Sequence, residues 1–191
     1  MRLAKALSEG GSPGIVVVFL PLAIAWHATG YRPWPTLGWG LLVALCCSAL
    51  PMAFIVQGAR RGRWETHHVR NREERFVPML ACLLCALGCL AGLMFGGAPQ
   101  ELIALLAAML TVLVVAMVIT RWWKISLHGA VASGAAAAVA AVYGLPYLAL
   151  YAAVAVVCWS RVRLADHTLA QVIAGALLGP VAGGAVFLLL R

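Results

Sequence analysis

The sequence predicts an all-α membrane protein, a polytopic bundle of six to seven transmembrane helices. Of its 191 residues 64% are hydrophobic and only 10% are charged, and the mean hydropathy is +0.97, well above that of water-soluble domains. The apolar runs are rich in Leu, Ala and Val and lack the period-two alternation of a barrel strand, so they indicate helices long enough to cross a bilayer core of about 30 Å. Residues 1–191 are therefore predicted to form one integral membrane domain.

Each long apolar run predicts one span. Arg2 and Lys5 before the first run are also typical of a signal peptide, but the amount of membrane helix that follows favours a retained first span. The fifth and sixth runs are short and meet at residues 144–146, so they form either two spans or a tight, partly re-entrant hairpin. The predicted spans are 14–30, 37–57, 77–97, 101–121, 127–143, 145–160 and 168–190.

Small residues predict where these helices pack most closely. The fifth span consists almost entirely of Ala, Gly, Ser and Val, and the last span carries Gly175, Gly179 and Gly183 at four-residue intervals. Four-residue spacing places the three glycines on one helix face, which allows the backbone of a neighbouring helix to approach. Tryptophans near span ends fit an aromatic belt. They are Trp34, Trp122, Trp123 and Trp159.

Lysine and arginine are distributed unequally between the two faces of this bundle. With seven spans, one face carries twelve of them and the other carries only Arg32 and Arg191. The positive-inside rule makes the basic face cytoplasmic. We therefore expect an integral protein of a bacterial or archaeal plasma membrane. The twelve residues of the basic face are Arg2, Lys5, Arg60, Arg61, Arg63, Arg70, Arg72, Arg75, Arg121, Lys124, Arg161 and Arg163.

The basic charge and the cysteines exclude some classes of function. The net charge of +8 lies in short loops and not on an RNA-binding or amphipathic unit, so membrane lipids are the expected partners and nucleic acid is not. All six cysteines fall in apolar runs and are interpreted as small buried hydrophobes. Cys82, Cys85 and Cys89 lie near one helix face, which leaves a metal site conceivable, but no His or carboxylate joins them in that run. No metal and no cofactor are predicted.

Three polar clusters on the basic face suggest chemistry. They are NREERFVP at 71–78, KISLHG at 124–129 and SRVRLADH at 160–167. The six acidic residues form no DxxD motif, so a magnesium-dependent transferase site is hard to build. Any catalysis must therefore use the nitrogen-containing side chains of His, Arg and Lys. Cationic groups bind phosphoryl oxygens, one imidazole can attack phosphorus, and another can protonate the leaving alkoxide. His128 and His167 lie in separate loops, each near a cation, whereas His27, His67 and His68 are interpreted as tolerated interfacial residues.

The third cluster matches a known signature. Ser160, Arg161, five intervening residues and His167 reproduce SRxxxxxHxxxD up to its last position, which is Gln171 here. In this respect the chain resembles the phosphatidic acid phosphatase type 2 family of membrane lipid phosphatases. The resemblance covers about residues 70–190 and leaves the N-terminal helix pair, about 14–57, outside the phosphatase-like core.

The family's other two motifs are present in altered form. Ser126 and His128 follow the family's PSGH, with Ile125 in place of Pro and Leu127 in place of Gly. The family's KxxxxxxRP is looser still, because an arginine and a proline stand three residues apart at 75 and 78 and no lysine precedes them at the expected distance. Two arginines of that stretch, 72 and 75, are therefore taken as its two cations.

The resemblance implies a metal-free hydrolase acting on a lipid phosphomonoester or diphosphate through a phosphohistidine. The substrate could be a polyprenyl phosphate, a phosphatidic acid or a phosphatidylglycerophosphate. The alternative is a non-catalytic lipid-phosphate binding or transport protein that kept the fold and lost the Asp. Gln171 would orient the nucleophile through its carbonyl oxygen, and Asp166 would cap the last helix and offset the lost charge. The implied roles are His167 as nucleophile, His128 as general acid and base, and Arg72, Arg75, Lys124, Ser126 and Arg161 as phosphate ligands.

Overall fold

The computed structural model describes residues 1–61 and 76–191, and it confirms the predicted all-α membrane bundle. Within these residues, six helical segments are long and apolar enough to cross a membrane, and Leu127–Tyr143 is a shorter apolar helix of 17 residues. The helices are α1 (Arg2–Gly10), α2 (Pro13–Ala28), α3 (Pro33–Arg60), α4 (Phe76–Phe95), α5 (Gln100–Thr120), α6 (Leu127–Tyr143), α7 (Leu145–Arg163) and α8 (Leu169–Leu190).

The helix boundaries follow local signals in the sequence. Pro13 and Pro33 stand at the starts of α2 and α3, where the missing N–H is not needed. Gly144 separates α6 from α7 with a φ of +104°, a conformation that favours glycine, and α7 opens with the 3-10 turn Leu145–Ala149. The fifth and sixth predicted spans are thus two helices joined by a one-residue turn.

Two of the long helices contain a wider turn of π-helix. In α3 it covers Leu45–Ala49, just before Pro51, and in α8 it covers Gly179–Gly184 and includes Pro180. A proline inside a helix lacks an N–H donor and its ring collides with the carbonyl four residues earlier. The π-helical turns let both helices continue past their prolines.

The small-residue helix α6 lies at the centre of the bundle and packs against α2, α5, α7 and α8. The predicted close approach of the glycine face is confirmed. A Cβ added at Gly175 would collide with the carbonyl oxygen of Ser126, and one added at Gly179 would collide with the hydroxyl of Ser133. Since lipid chains are as apolar as the helices, this backbone contact is a main source of cohesion between α6 and α8.

An extra helix precedes the first predicted span. Helix α1 ends at Gly10, and the chain turns at Gly11 and Ser12 before α2 begins. It packs along α7, with Ala4 and Ser8 buried in the contact. Residues from the start of the chain are thereby placed beside the end of α7.

Candidate functional site

Helices α7 and α8 are joined by a compact turn that holds three of the sequence-predicted site residues. The backbone N–H groups of Asp166 and His167 donate to the carbonyl oxygen of Arg161 at 3.1 and 3.3 Å. Ala165 closes the turn in the left-handed region, with a φ of +57°. The SRVRLADH segment therefore folds back on itself and brings Arg161, Asp166 and His167 together.

His167 is buried and has a defined ring orientation. Its side chain is 7% exposed, and Nδ1 lies 3.2 Å from Oε1 of Gln171. The same Oε1 accepts the backbone N–H of Thr168 at 3.1 Å, which identifies that atom as the amide oxygen. Because an amide oxygen only accepts, Nδ1 of the neutral ring carries the hydrogen, and the lone pair of the ring lies on Nε2.

The start of α8 differs from the sequence-based expectation for Asp166. The N-cap is Thr168, whose hydroxyl accepts the N–H of Gln171 at 3.4 Å, and together the two residues form a capping box. Asp166 does not cap this helix, so that interpretation was wrong. Its carboxylate instead lies 3.1 Å from Nη2 of Arg161, and both side chains are nearly buried, at 13% and 11% exposure.

Arg161 has a second contact that sequence reasoning missed. Its Nη1 donates to the hydroxyl of Ser8 on α1 at 2.6 Å, and Ser8 is 3% exposed. The guanidinium is therefore held from two sides, by a carboxylate of its own turn and by a hydroxyl from 153 residues earlier in the chain. A separation of that length leaves no local signal in the sequence.

The segment before α6 is tied to the same turn. The ammonium group of Lys124 donates to the main-chain carbonyl oxygen of Asp166 at 2.6 Å. The N–H of Ser126 donates to the carbonyl oxygen of Gln171 at 3.2 Å. These two bonds join the second and third motifs, which are far apart in sequence, into one cluster.

Ser126 and His128 occupy the start of α6. Ser126 is completely buried and is the N-cap, since its hydroxyl accepts the N–H of Gly129 at 3.4 Å. His128 follows two residues later and is partly exposed. The first-turn backbone N–H groups and the positive end of the helix dipole make such a helix start favourable for an anion. Arg72 and Arg75, the other two expected phosphate ligands, lie outside the described residues.

The cluster combines groups suited to a phosphoryl anion. Among the residues that the structure describes there, Lys124 and Arg161 carry two positive charges and Asp166 carries one negative charge, and the last two side chains are screened by little solvent. Among the described residues, no three His, Cys, Asp or Glu side chains lie close enough together to hold a metal ion.

No protein-family model, curated protein or solved structure matches this chain. The family resemblance therefore depends on the motifs alone, and the function is inferred from the residues of the cluster.

An apolar cavity of about 260 Å³ lies between α2, α3, α4, α5, α6 and α8 and extends to the first residue of α6. Leu127, which is the residue before His128, lines it together with Ala130, Val131, Ile55, Met79 and Leu113. Its volume exceeds the roughly 150 Å³ in which an apolar protein cavity accommodates benzene. The cavity thus offers space for a hydrocarbon group next to the start of α6.

Another histidine with a hydrogen-bonded ring, His27, lies at the opposite end of the bundle. Nδ1 of His27, in the last turn of α2, is 3.0 Å from Oε2 of Glu101, in the first turn of α5. Tyr143 packs edge-on against the same imidazole, with ring centroids 5.6 Å apart. His27 therefore connects α2, α5 and α6 at the end of the bundle away from Lys124 and His167.

Proposed function

We propose that this protein is a membrane lipid phosphatase that hydrolyses a lipid phosphomonoester or diphosphate through a phosphohistidine and without a metal. The observation that carries the proposal is the bond between Nδ1 of His167 and Gln171, in the turn where Asp166 contacts the two cations Arg161 and Lys124. This bond presents Nε2 as a nucleophile within a positively charged cluster. The similarity of SRVRLADH and ISLH to the motifs of the phosphatidic acid phosphatase type 2 family supports the same reaction.

The reaction has two steps. In the first, Nε2 of His167 attacks phosphorus, the bond between phosphorus and the lipid oxygen breaks, and His128 donates its proton to the departing alkoxide. In the second, His128 takes a proton from a water molecule that attacks the phosphohistidine. The bond between phosphorus and Nε2 breaks, phosphate leaves, and both histidines return to their starting states.

Charge stabilisation comes from the cations around the histidines. Arg161 and Lys124 neutralise the negative charge that spreads over the phosphoryl oxygens during transfer, and the first-turn N–H groups of α6 add to this effect. Asp166 keeps the guanidinium in place through its 3.1 Å contact. Arg72 and Arg75 complete the proposed set of ligands, together with Ser126.

The apolar cavity accounts for the lipid part of the substrate. A phosphoryl group at the start of α6 is adjacent to Leu127, from which a hydrocarbon chain can extend into the space between the helices. Polyprenyl phosphates, phosphatidic acid and phosphatidylglycerophosphate all fit this description. The basic face is proposed to be cytoplasmic on a bacterial or archaeal plasma membrane, which favours a lipid made in the cytoplasm.

The decisive experiment measures phosphate release by the purified protein from these three lipids in detergent micelles containing EDTA. We expect release from at least one of them, and much slower release from glycerol 3-phosphate, which has the phosphate ester but lacks the chain. Saturable binding of a lipid phosphate without any release would instead support the alternative, a binding or transport protein. Activity that requires added divalent metal would contradict the proposed mechanism.

The missing family aspartate leads to a specific prediction for Gln171. In Gln171→Glu the side chain keeps its length but gains a negative charge, which stabilises the positive imidazole ring as Nε2 forms its bond to phosphorus. We expect kcat to rise on the order of tenfold, measured by phosphate release. In Gln171→Leu both the ring N–H and the Thr168 N–H lose their acceptor, and we expect kcat to fall by about 10-fold to 100-fold.

A Gln171→Glu enzyme no faster than the wild type would show that charge at this position does not limit the reaction. Thermal unfolding of both variants is the control, because Gln171 also belongs to the capping box of α8.

A further inference from the structure

The contact between Ser8 and Arg161 joins the proposed site to a part of the chain that the family resemblance does not cover. Ser8 lies on α1, outside the phosphatase-like region at about 70–190. Its hydroxyl oxygen accepts a hydrogen bond from Nη1 of Arg161 at 2.6 Å. Both side chains are largely shielded from solvent, with Ser8 3% and Arg161 11% exposed. A hydrogen bond to a charged donor in such surroundings is stronger than one between neutral groups.

The hydrogen bond to Ser8 restricts the orientation of the Arg161 guanidinium. The group is planar and presents its N–H donors in a fixed fork. Asp166, in the turn after α7, contacts Nη2, and Ser8, on α1, contacts Nη1, so two acceptors from distant parts of the chain restrain the plane of the fork. The Ser8 contact therefore restrains the guanidinium in addition to the contact with Asp166.

The position of α1 shows how this contact is maintained. The helix packs along α7, and Ala4 and Ser8, one helical turn apart, are its two buried residues. Lys5 and Glu9 of the same helix stay exposed and form an ion pair at 4.0 Å. The face of α1 toward α7 therefore ends in a single buried hydroxyl aimed at Arg161.

We propose that Ser8 is a positioning residue that orients the Arg161 guanidinium for the phosphoryl group, so that α1 is part of the phosphate site. This role rests on the proposed function. It assigns to the N-terminal segment a task in phosphate recognition in addition to its packing against α7.

The test compares kinetic constants and anion affinity in a double-mutant cycle. Ser8→Ala is expected to lower kcat/KM for the lipid phosphate about tenfold and to weaken inhibition by orthovanadate by a similar factor, because Nη1 of Arg161 loses its hydroxyl acceptor. Ser8→Thr, which retains the hydroxyl, is expected to stay within about twofold of the wild type. In an Arg161→Ala background, Ser8→Ala should cause no further loss.

Ser133→Ala serves as the matched control. Ser133 is completely buried on α6, and its hydroxyl donates to the carbonyl oxygen of Ala130, so the variant loses a buried hydroxyl outside the site. Its kinetic constants should match those of the wild type. If Ser8→Ala does not accumulate in the membrane, the cycle is measured with Ser8→Cys, whose thiol is a weaker acceptor and should cause a smaller loss in the same direction.

Two results would overturn the proposal while leaving the phosphatase intact. One is that the wild type is active and Ser8→Ala has the same kcat/KM as Ser133→Ala. The other is that Ser8→Ala lowers kcat/KM by the same factor in the Arg161→Ala background as in the wild type. If the wild type releases no phosphate from any lipid, the proposed function is wrong. Calorimetric titration with orthovanadate then decides the role of Ser8. Weaker binding to Ser8→Ala would support anion positioning, and equal or absent binding would refute it.

Discussion

Replacing His167 with alanine is expected to reduce phosphate release from the lipid substrate by at least about 10³-fold, because the proposed reaction proceeds through a covalent bond to Nε2. No other group in the described cluster combines burial, a fixed tautomer and a nitrogen lone pair in this way. Initial rates in EDTA, with wild type and variant at equal concentration, measure the effect.

His27→Gln is the matched control for this loss. His27 also has a hydrogen-bonded Nδ1, but its partner is Glu101 at the other end of the bundle. The glutamine keeps a polar group there, so activity should stay close to that of the wild type. If His167→Ala and His27→Gln are equally active, His167 is not the nucleophile.

The second large effect is expected for His128→Ala, which should lower kcat by about 10²-fold to 10⁴-fold through loss of the proposed general acid and base. The two steps can be separated with a lipid aryl phosphate, whose leaving group needs no proton. The variant should then release aryl alcohol in a rapid burst equal to the amount of enzyme and stall as the phosphohistidine. Mass spectrometry of the peptide containing His167 should detect the added phosphoryl group.

If His128→Ala shows no burst and keeps full activity on the ordinary lipid, His128 is only an interfacial residue. A variant that is equally slow on both substrates would mean that His128 acts by binding phosphate and not by moving protons. The aryl substrate therefore distinguishes the proposed role from both of these.

Most of the fold could be predicted from the sequence because a membrane requires long apolar helices and permits little else. The span predicted at 127–143 is the helix Leu127–Tyr143, and the one predicted at 101–121 is Gln100–Thr120. The α8 glycine spacing also predicted close packing correctly. Helix α1 was not predicted, because nine residues with few apolar side chains give no signal of a membrane span.

The site was less accessible to sequence reasoning. The motifs predicted Arg161 and His167 as site residues, but the Ser8 contact depends on how α1 packs against α7, which no motif describes. Because Asp166 precedes His167, it was expected to cap α8, but it pairs with Arg161 instead. The correct cap had a signal, since Thr168 and Gln171 have the spacing of a capping box.

Gln171 accepts hydrogen bonds from three residues that lie outside helix α8. Its side-chain oxygen accepts from His167 and Thr168, and its main-chain oxygen accepts from Ser126 at the start of α6. The orientation of the His167 ring, the first turn of α8 and the position of the start of α6 thus depend on one residue. If the proposed lipid substrate displaces α6 when it enters the cavity, we expect the imidazole of His167 to change orientation, so that the fit of the lipid chain affects kcat as well as KM.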